Sequence, residues 1–124
     1  MEISAGLGRV QTFLFNTGGA SFLPDFAPIP DAWNHIVFVW DASVGRARIY
    51  ANNVLKVDQS GLAALLTSNN RLKIGGGVGD VIHSTFDGLI DEIGFWIGLL
   101  SAADVSTLYN GGAALALGSP NFPT

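Results

Sequence analysis

A chain of 124 residues is long enough for one domain with a real hydrophobic core. Only 13% of it is charged, about half the usual share, against 48% hydrophobic residues; the net charge is -4 and the sequence contains no cysteine. A disulfide framework and a thiolate metal site are therefore excluded, the scattered basic residues argue against a nucleic-acid partner, and no apolar run reaches the roughly 18 residues of a membrane helix.

The N-terminal stretch MEISAGLGRV has neither a basic n-region nor a long apolar h-region, so no signal peptide is visible. A chain this poor in charge is expected to hide surface in an oligomer or a larger assembly. VQTFLFN and ASFL flank Thr17-Gly18-Gly19 and read as a hairpin. Residues 24–32, PDFAPIPDA, read as a loop, because proline cannot donate to a strand ladder and restricts its neighbour. NHIVFVW reads as a strand buried on both faces and DASVG as a turn. RARIYA alternates, with Ala47, Ile49 and Ala51 on one face and Arg46, Arg48 and Tyr50 on the other. Asn52-Asn53 suits the positive φ of a tight hairpin turn, with VLKVD as the returning strand. A helical turn is expected at LAALL within the 60–70 connection, and a strand at RLKIG.

GGVGDVIHS lacks the Lys-Ser/Thr ending of a phosphate-binding loop. TFDGLIDEIGFW reads as the last long strand. The one helix falls near residues 102–110. Ser101 is its N-cap, with Asp104 closing a capping box, Leu100 and Val105 placed as a staple, and Gly111 as the left-handed C′ residue.

Five pieces occur in the order of a known family. WNHIVFVWD, RARIYANNVL, RLKIGG, FDGLIDEIGFW and LSAADVSTLYNGG together resemble the laminin G-like, concanavalin A-like jelly-roll family, from Trp33 to Gly112. The hairpin carries Asn52-Asn53 where the family has Asn-Gly. The resemblance implies an all-β antiparallel jelly-roll sandwich over residues 1–118, with a C-terminal tail at 119–124. The 32 residues before Trp33 are few for the N-terminal strands of that family, so an open edge or face is expected.

Relatives with glucanase activity set carboxylates at alternating strand positions, where i and i+2 share a face and can flank one glycosidic bond. Asp91 and Glu92 are adjacent and would point to opposite faces, Asp87 is four residues from Asp91, and positions 89 and 93 are Leu and Ile. A hydrolase is therefore the least favoured reading, and the chain is expected not to be an enzyme. Asp91 is read as a carboxylate that accepts hydrogen bonds from nearby amides. The resemblance also implies calcium as a structural cofactor, with Asp91, Asp87 and Asp41 as its candidate ligands. His35 is read as a structural hydrogen-bonder and His83 as solvated. No Gly-x-Ser-x-Gly elbow exists.

Among the aromatics, Trp33 is expected in the core and Trp96 in the core or a subunit interface. Tyr50, beside Arg46 and Arg48, is the ligand-facing candidate, and Asn52 completes the expected ligand-binding set. The first functional expectation is a non-catalytic binding or adhesion module that recognises glycan or a protein surface, extracellular or on a virion. The second is a self-associating structural protein of a virion, tail fibre or surface layer. A homo-oligomer is expected, built from Phe13, Phe15 and Phe22 of the N-terminal hairpin and from the tail near Leu115 and Leu117.

Overall fold

The computed structural model describes residues 2–6, 9–67, 74–75, 86–113 and 115–116, the first five as backbone alone. Two three-stranded antiparallel sheets come first in the chain. β1 (Glu2–Gly6), β2 (Arg9–Asn16) and β3 (Gly19–Phe26) pair in the order β1-β2-β3. β2 is amphipathic: Val10, Thr12, Leu14 and Asn16 are buried, while Arg9, Gln11 and Phe15 are exposed.

Thr17 and Gly18 form the β2–β3 turn, which Asn16 stabilises by accepting the Gly18 amide at 2.9 Å on its side chain. β3 runs on through Pro24 and Asp25, which had read as the start of a loop. It is an edge strand, where proline costs no ladder bond, and the register slips between the Val10–Phe26 and Thr12–Leu23 pairs. Arg9 and Asp25 pair at 2.6 Å at the same end. The segment before Trp33 thus builds a whole three-stranded sheet.

The second sheet is the meander β4 (Ile36–Asp41), β5 (Arg46–Ala51) and β6 (Val54–Gln59). Asn52 and Asn53 take φ of 51° and 65°, the left-handed pair that a two-residue hairpin turn requires. Gly45, at φ 59°, ends the β4–β5 turn against the following connection. Its carbonyl accepts the Leu62 amide at 2.9 Å, and a Cβ there would collide with the Leu62 carbonyl oxygen.

The inner faces of both sheets close one core. Val10, Leu14, Leu23 and Phe26 from the first sheet meet Ala47, Ile49, Ala51 and Val57 from the second. Leu14 and Ile49 are fully buried, each stabilising the fold by roughly 1.5–3 kcal/mol relative to an exposed side chain. The other face of the second sheet is covered by α1 (Ala102–Tyr109). Val37, Val39 and Tyr50 pack on Leu100, Val105 and Leu108, with Trp96 against them. The capping box forms as the sequence predicts: the Ser101 hydroxyl accepts the Asp104 amide, and the Asp104 carboxylate accepts the Ser101 amide at 2.7 Å. Leu100 and Val105 sit in the same cluster, and Asn110 and Gly111 both take left-handed φ at the helix end. The result is the antiparallel β-sandwich with one short helix that the sequence implies.

Two further expected elements differ. LAALL is not a helical turn. Its backbone bonds go to the end of β2, with Thr17 N donating to Ala64 O at 2.9 Å and Leu66 N to Phe15 O at 3.0 Å, and Leu65 bridges Asn16. Leu62 and Leu65 thereby reach the core.

Residues 86–96 do not form a regular strand. Glu92 takes φ 51°, which breaks the pleat, and the Asp91 side chain accepts the Glu92 amide at 2.8 Å, a local bond that competes with a ladder. This segment is a strap tied at both ends: Phe86 N donates to Gly75 O at 3.0 Å, and Leu100 is buried beneath α1. The expected strand at RLKIG, apart from Ile74 and Gly75, lies outside the described residues, as do the GGVGDVIHS loop with His83 and the 119–124 tail.

Candidate functional site

The residues expected to face a ligand do not come together. Tyr50 is only 6% exposed and lies under α1. The alternation that set it beside Arg46 and Arg48 is real, but at the Tyr50 end this face is roofed by the helix, so Tyr50 is a core residue and not a stacking platform. Arg46 reaches across to β6 and clamps Asp58 with two bonds of 2.6 Å. This clamp holds the Asp58 carboxyl below the usual range and raises the Arg46 guanidinium. Arg48 is half-buried, and its Nε makes no hydrogen bond among the described residues.

Asn52 lies at the opposite end of β5, and its side chain is already engaged. Its Oδ1 accepts the His35 amide at 2.9 Å, and its Nδ2 donates to Asn34 Oδ1 at 3.1 Å. Asn34 carries no motif signal in the sequence, yet it ties the corner together. It accepts the Ile29 amide at 2.9 Å and donates to the Ile29 carbonyl at 2.8 Å.

The candidate metal ligands are also dispersed. Asp41 accepts from the Ser43 hydroxyl at 2.5 Å and from the Ser43 amide at 3.0 Å, an arrangement that lowers its pKa and closes the turn. Asp91 is exposed and bound to its neighbour's amide, as its structural reading expects. Asp87 is exposed. Among the described residues no three acidic or histidine groups stand close enough together to hold a metal ion.

Trp33, expected in the core, is 65% exposed. His35 does hydrogen-bond through its backbone, but its buried ring Nδ1 has no partner among the described residues. The ring lies 5.9 Å from that of Tyr109, and burial lowers its pKa.

What the structure does assemble is a groove of 1390 Å³ between β4, the loop before it and the strap. Every residue from Trp33 to Ser43 borders it. Residues of both parities therefore line it, which is what a strand presents along its edge, not its face. β4 is an edge of its sheet, and among the described residues no strand pairs with its outer side. The facing wall is the strap, where Leu89 is 79% and Phe95 74% exposed. Trp96 and Tyr109 close the side toward α1. The lining is mostly apolar, with Asn34, His35, Asp41, Asn52, Asp91 and Glu92 among its polar side chains. An unpaired backbone edge between apolar walls can bind an extended chain by main-chain hydrogen bonds, with side chains held in the walls. The signal for this site was present in the near-continuous apolar run of NHIVFVW, but the free edge is a matter of topology.

No curated protein and no solved structure matches the chain. A family model described as the concanavalin A-like lectin/glucanases superfamily matches residues 4–106. The match takes in the N-terminal sheet as well as the segment from Trp33 that carries the motifs, and the chain belongs to the concanavalin A-like lectin/glucanase superfamily.

Proposed function

We propose that the chain is a non-catalytic binding module that takes an extended protein segment in the groove between β4 and the strap. Superfamily membership supports the general class, since such domains are commonly carbohydrate- or protein-binding modules. The observation that carries the finer reading is the outer edge of β4, with which no strand pairs among the described residues, lying along a groove with apolar walls. Backbone edge groups pair with another backbone, and apolar walls suit apolar side chains, whereas a polyhydroxylated sugar needs many hydrogen-bonding groups.

The non-catalytic reading rests on the acids. A glycosidase faces two carboxyls across one bond at about 5 to 9.5 Å. Asp91 and Glu92 are consecutive, exposed and on a segment without strand periodicity, and Asp91 already binds the Glu92 amide.

A glycan ligand is the second reading, favoured by the exposed Trp33 at the rim with Asn34 beside it. One pair of measurements separates the two. Selection from a displayed library of extended peptides is expected to give binders that protect the β4 amides from hydrogen exchange and lose at least tenfold in affinity in Trp33→Ser with Leu89→Ser. Binding on a glycan array with no peptide binder recovered would replace the peptide reading with the glycan one.

A further inference from the structure

The strap itself has the composition of the segment the groove would accept. Leu89, Ile93 and Phe95 share one parity, Ile90 and Trp96 the other, so FDGLIDEIGFW is apolar on both sides, as a strand covered on both faces is. Yet its large side chains are not covered: Leu89 is 79%, Phe95 74% and Ile97 109% exposed, with Leu99 at 52% and Trp33 at 65% nearby. The two aromatic side chains, Phe95 and Trp33, carry roughly 150–250 Å² each, and with the smaller Leu89, Ile97 and Leu99 they present a patch on the order of several hundred Å², a substantial part of the roughly 800 Å² that one partner buries in a standard stable interface. Among the described residues the chain thus holds an unpaired strand edge and an uncovered segment suited to it. Both features are hazards in isolation and self-complementary across a two-fold axis.

We propose that the occupant of the groove is a second copy of this chain, with the 86–97 strap of each protomer lying along β4 of the other. This rests on the groove being a binding site, and it names the partner. The interface differs from the one the sequence suggests, which uses the tail near Leu115 and Leu117 and the rings of Phe13, Phe15 and Phe22. Those rings stand on the outer face of the first sheet, where Phe13 and Phe22 meet edge to face at 4.9 Å.

Light scattering of the full chain at micromolar concentration is expected to give about twice 13.0 kDa. Leu89→Glu with Phe95→Glu is expected to return the mass to that of one chain and to weaken dimerisation at least tenfold, with the circular dichroism unchanged. Phe22→Ser is expected to leave the dimer intact. In the unaltered chain, amides of β4 and of 86–96 are expected to gain protection from hydrogen exchange as concentration rises, a readout that does not depend on any variant folding.

A dimer that survives the strap variant but not Phe22→Ser would place the interface on the first sheet and overturn the inference, leaving the groove reading intact. A monomer that still binds displayed peptides in the groove would remove the second copy as occupant but not the site. A monomer whose 86–96 amides are protected at every concentration would mean that the strap closes on its own β4. That result would overturn both readings.

Discussion

Asn52 and His35 hold each other by two backbone-directed bonds. The Asn52 side chain accepts the His35 amide at 2.9 Å, and the Asn52 amide donates to the His35 carbonyl at 2.9 Å. One residue of the β5–β6 turn thereby fixes the point at which the chain enters β4, the strand whose edge floors the groove.

Asn52 also sits at φ 51°, where asparagine and glycine are tolerated and other residues are strained. Asn52→Ala loses two side-chain bonds at about 1 kcal/mol each and adds about 1 kcal/mol of backbone strain, so urea denaturation is expected to show a loss of about 2–3 kcal/mol. Asn52→Gly keeps the conformation and is expected to lose less. Equal losses in the two variants would show that φ is not strained.

Gly45 has the same φ problem and, in addition, no room. A Cβ would run into the Leu62 carbonyl oxygen, which belongs to backbone and cannot rotate away. Gly45→Ala is expected to cost about 2 kcal/mol or more and to loosen the 60–66 connection, seen as faster exchange of the Leu62 amide. A neutral substitution would mean that the connection shifts freely.

How far the sequence could be read depended on whether an element's partner was local. The hairpin turns at Thr17-Gly18 and Asn52-Asn53, the capping box at Ser101 and Asp104, and the alternation in RARIYA are set by residues within a few positions, and all stand as expected. Tyr50 was misplaced because its exposure is decided by a helix some fifty residues away, and Trp33 because motif resemblance gives a position but not its burial here. Pro24 reads as a strand terminator because nothing local says that β3 is an edge. The strap was misread for a different reason. Its apolar pattern favours a strand, while Glu92 at positive φ and the Asp91 side-chain bond, both local choices, interrupt the pleat. The groove was not legible at all, since a free strand edge exists only once neighbours have been assigned.

Ser101 carries the start of α1, and α1 roofs Tyr50. Ser101→Ala removes the hydroxyl that accepts the Asp104 amide, which is expected to cost about 1 kcal/mol. The Asp104 carboxyl, held below its ordinary value first by the Ser101 hydroxyl and then by the Ser101 amide, is expected to titrate closer to that value in the variant. Carbon-detected carboxyl titration reads this directly. An unchanged Asp104 titration would assign the shift to the amide alone.

His35 gives the chain a pH dependence whose sign follows from burial. Burial disfavours the imidazolium and lowers the folded-state pKa below the ordinary 6.5; Nδ1 is buried with no acceptor among the described residues, and the Tyr109 ring stands 5.9 Å away. Above 6.5 the ring is neutral in both folded and unfolded chains and contributes nothing to the difference. As pH falls below that value the unfolded chain takes up the proton first, so it binds more protons than the folded chain and stability drops. The loss grows until pH passes the lowered folded pKa and is constant below it. The Asp58 and Asp104 carboxyls are also depressed, but their contribution is lost only near and below the ordinary carboxylate value of 3.8, so the two windows are separate. Urea midpoints measured from about pH 8 down to about pH 5 should therefore fall in the unaltered chain, and the fall should be smaller in His35→Gln. His83 remains in both proteins and cancels in the comparison. A midpoint that is flat over this range, or falls equally in His35→Gln, would mean that the His35 ring is solvated at the mouth of the groove and that the corner built by Asn34 and Asn52 is looser than these bonds imply.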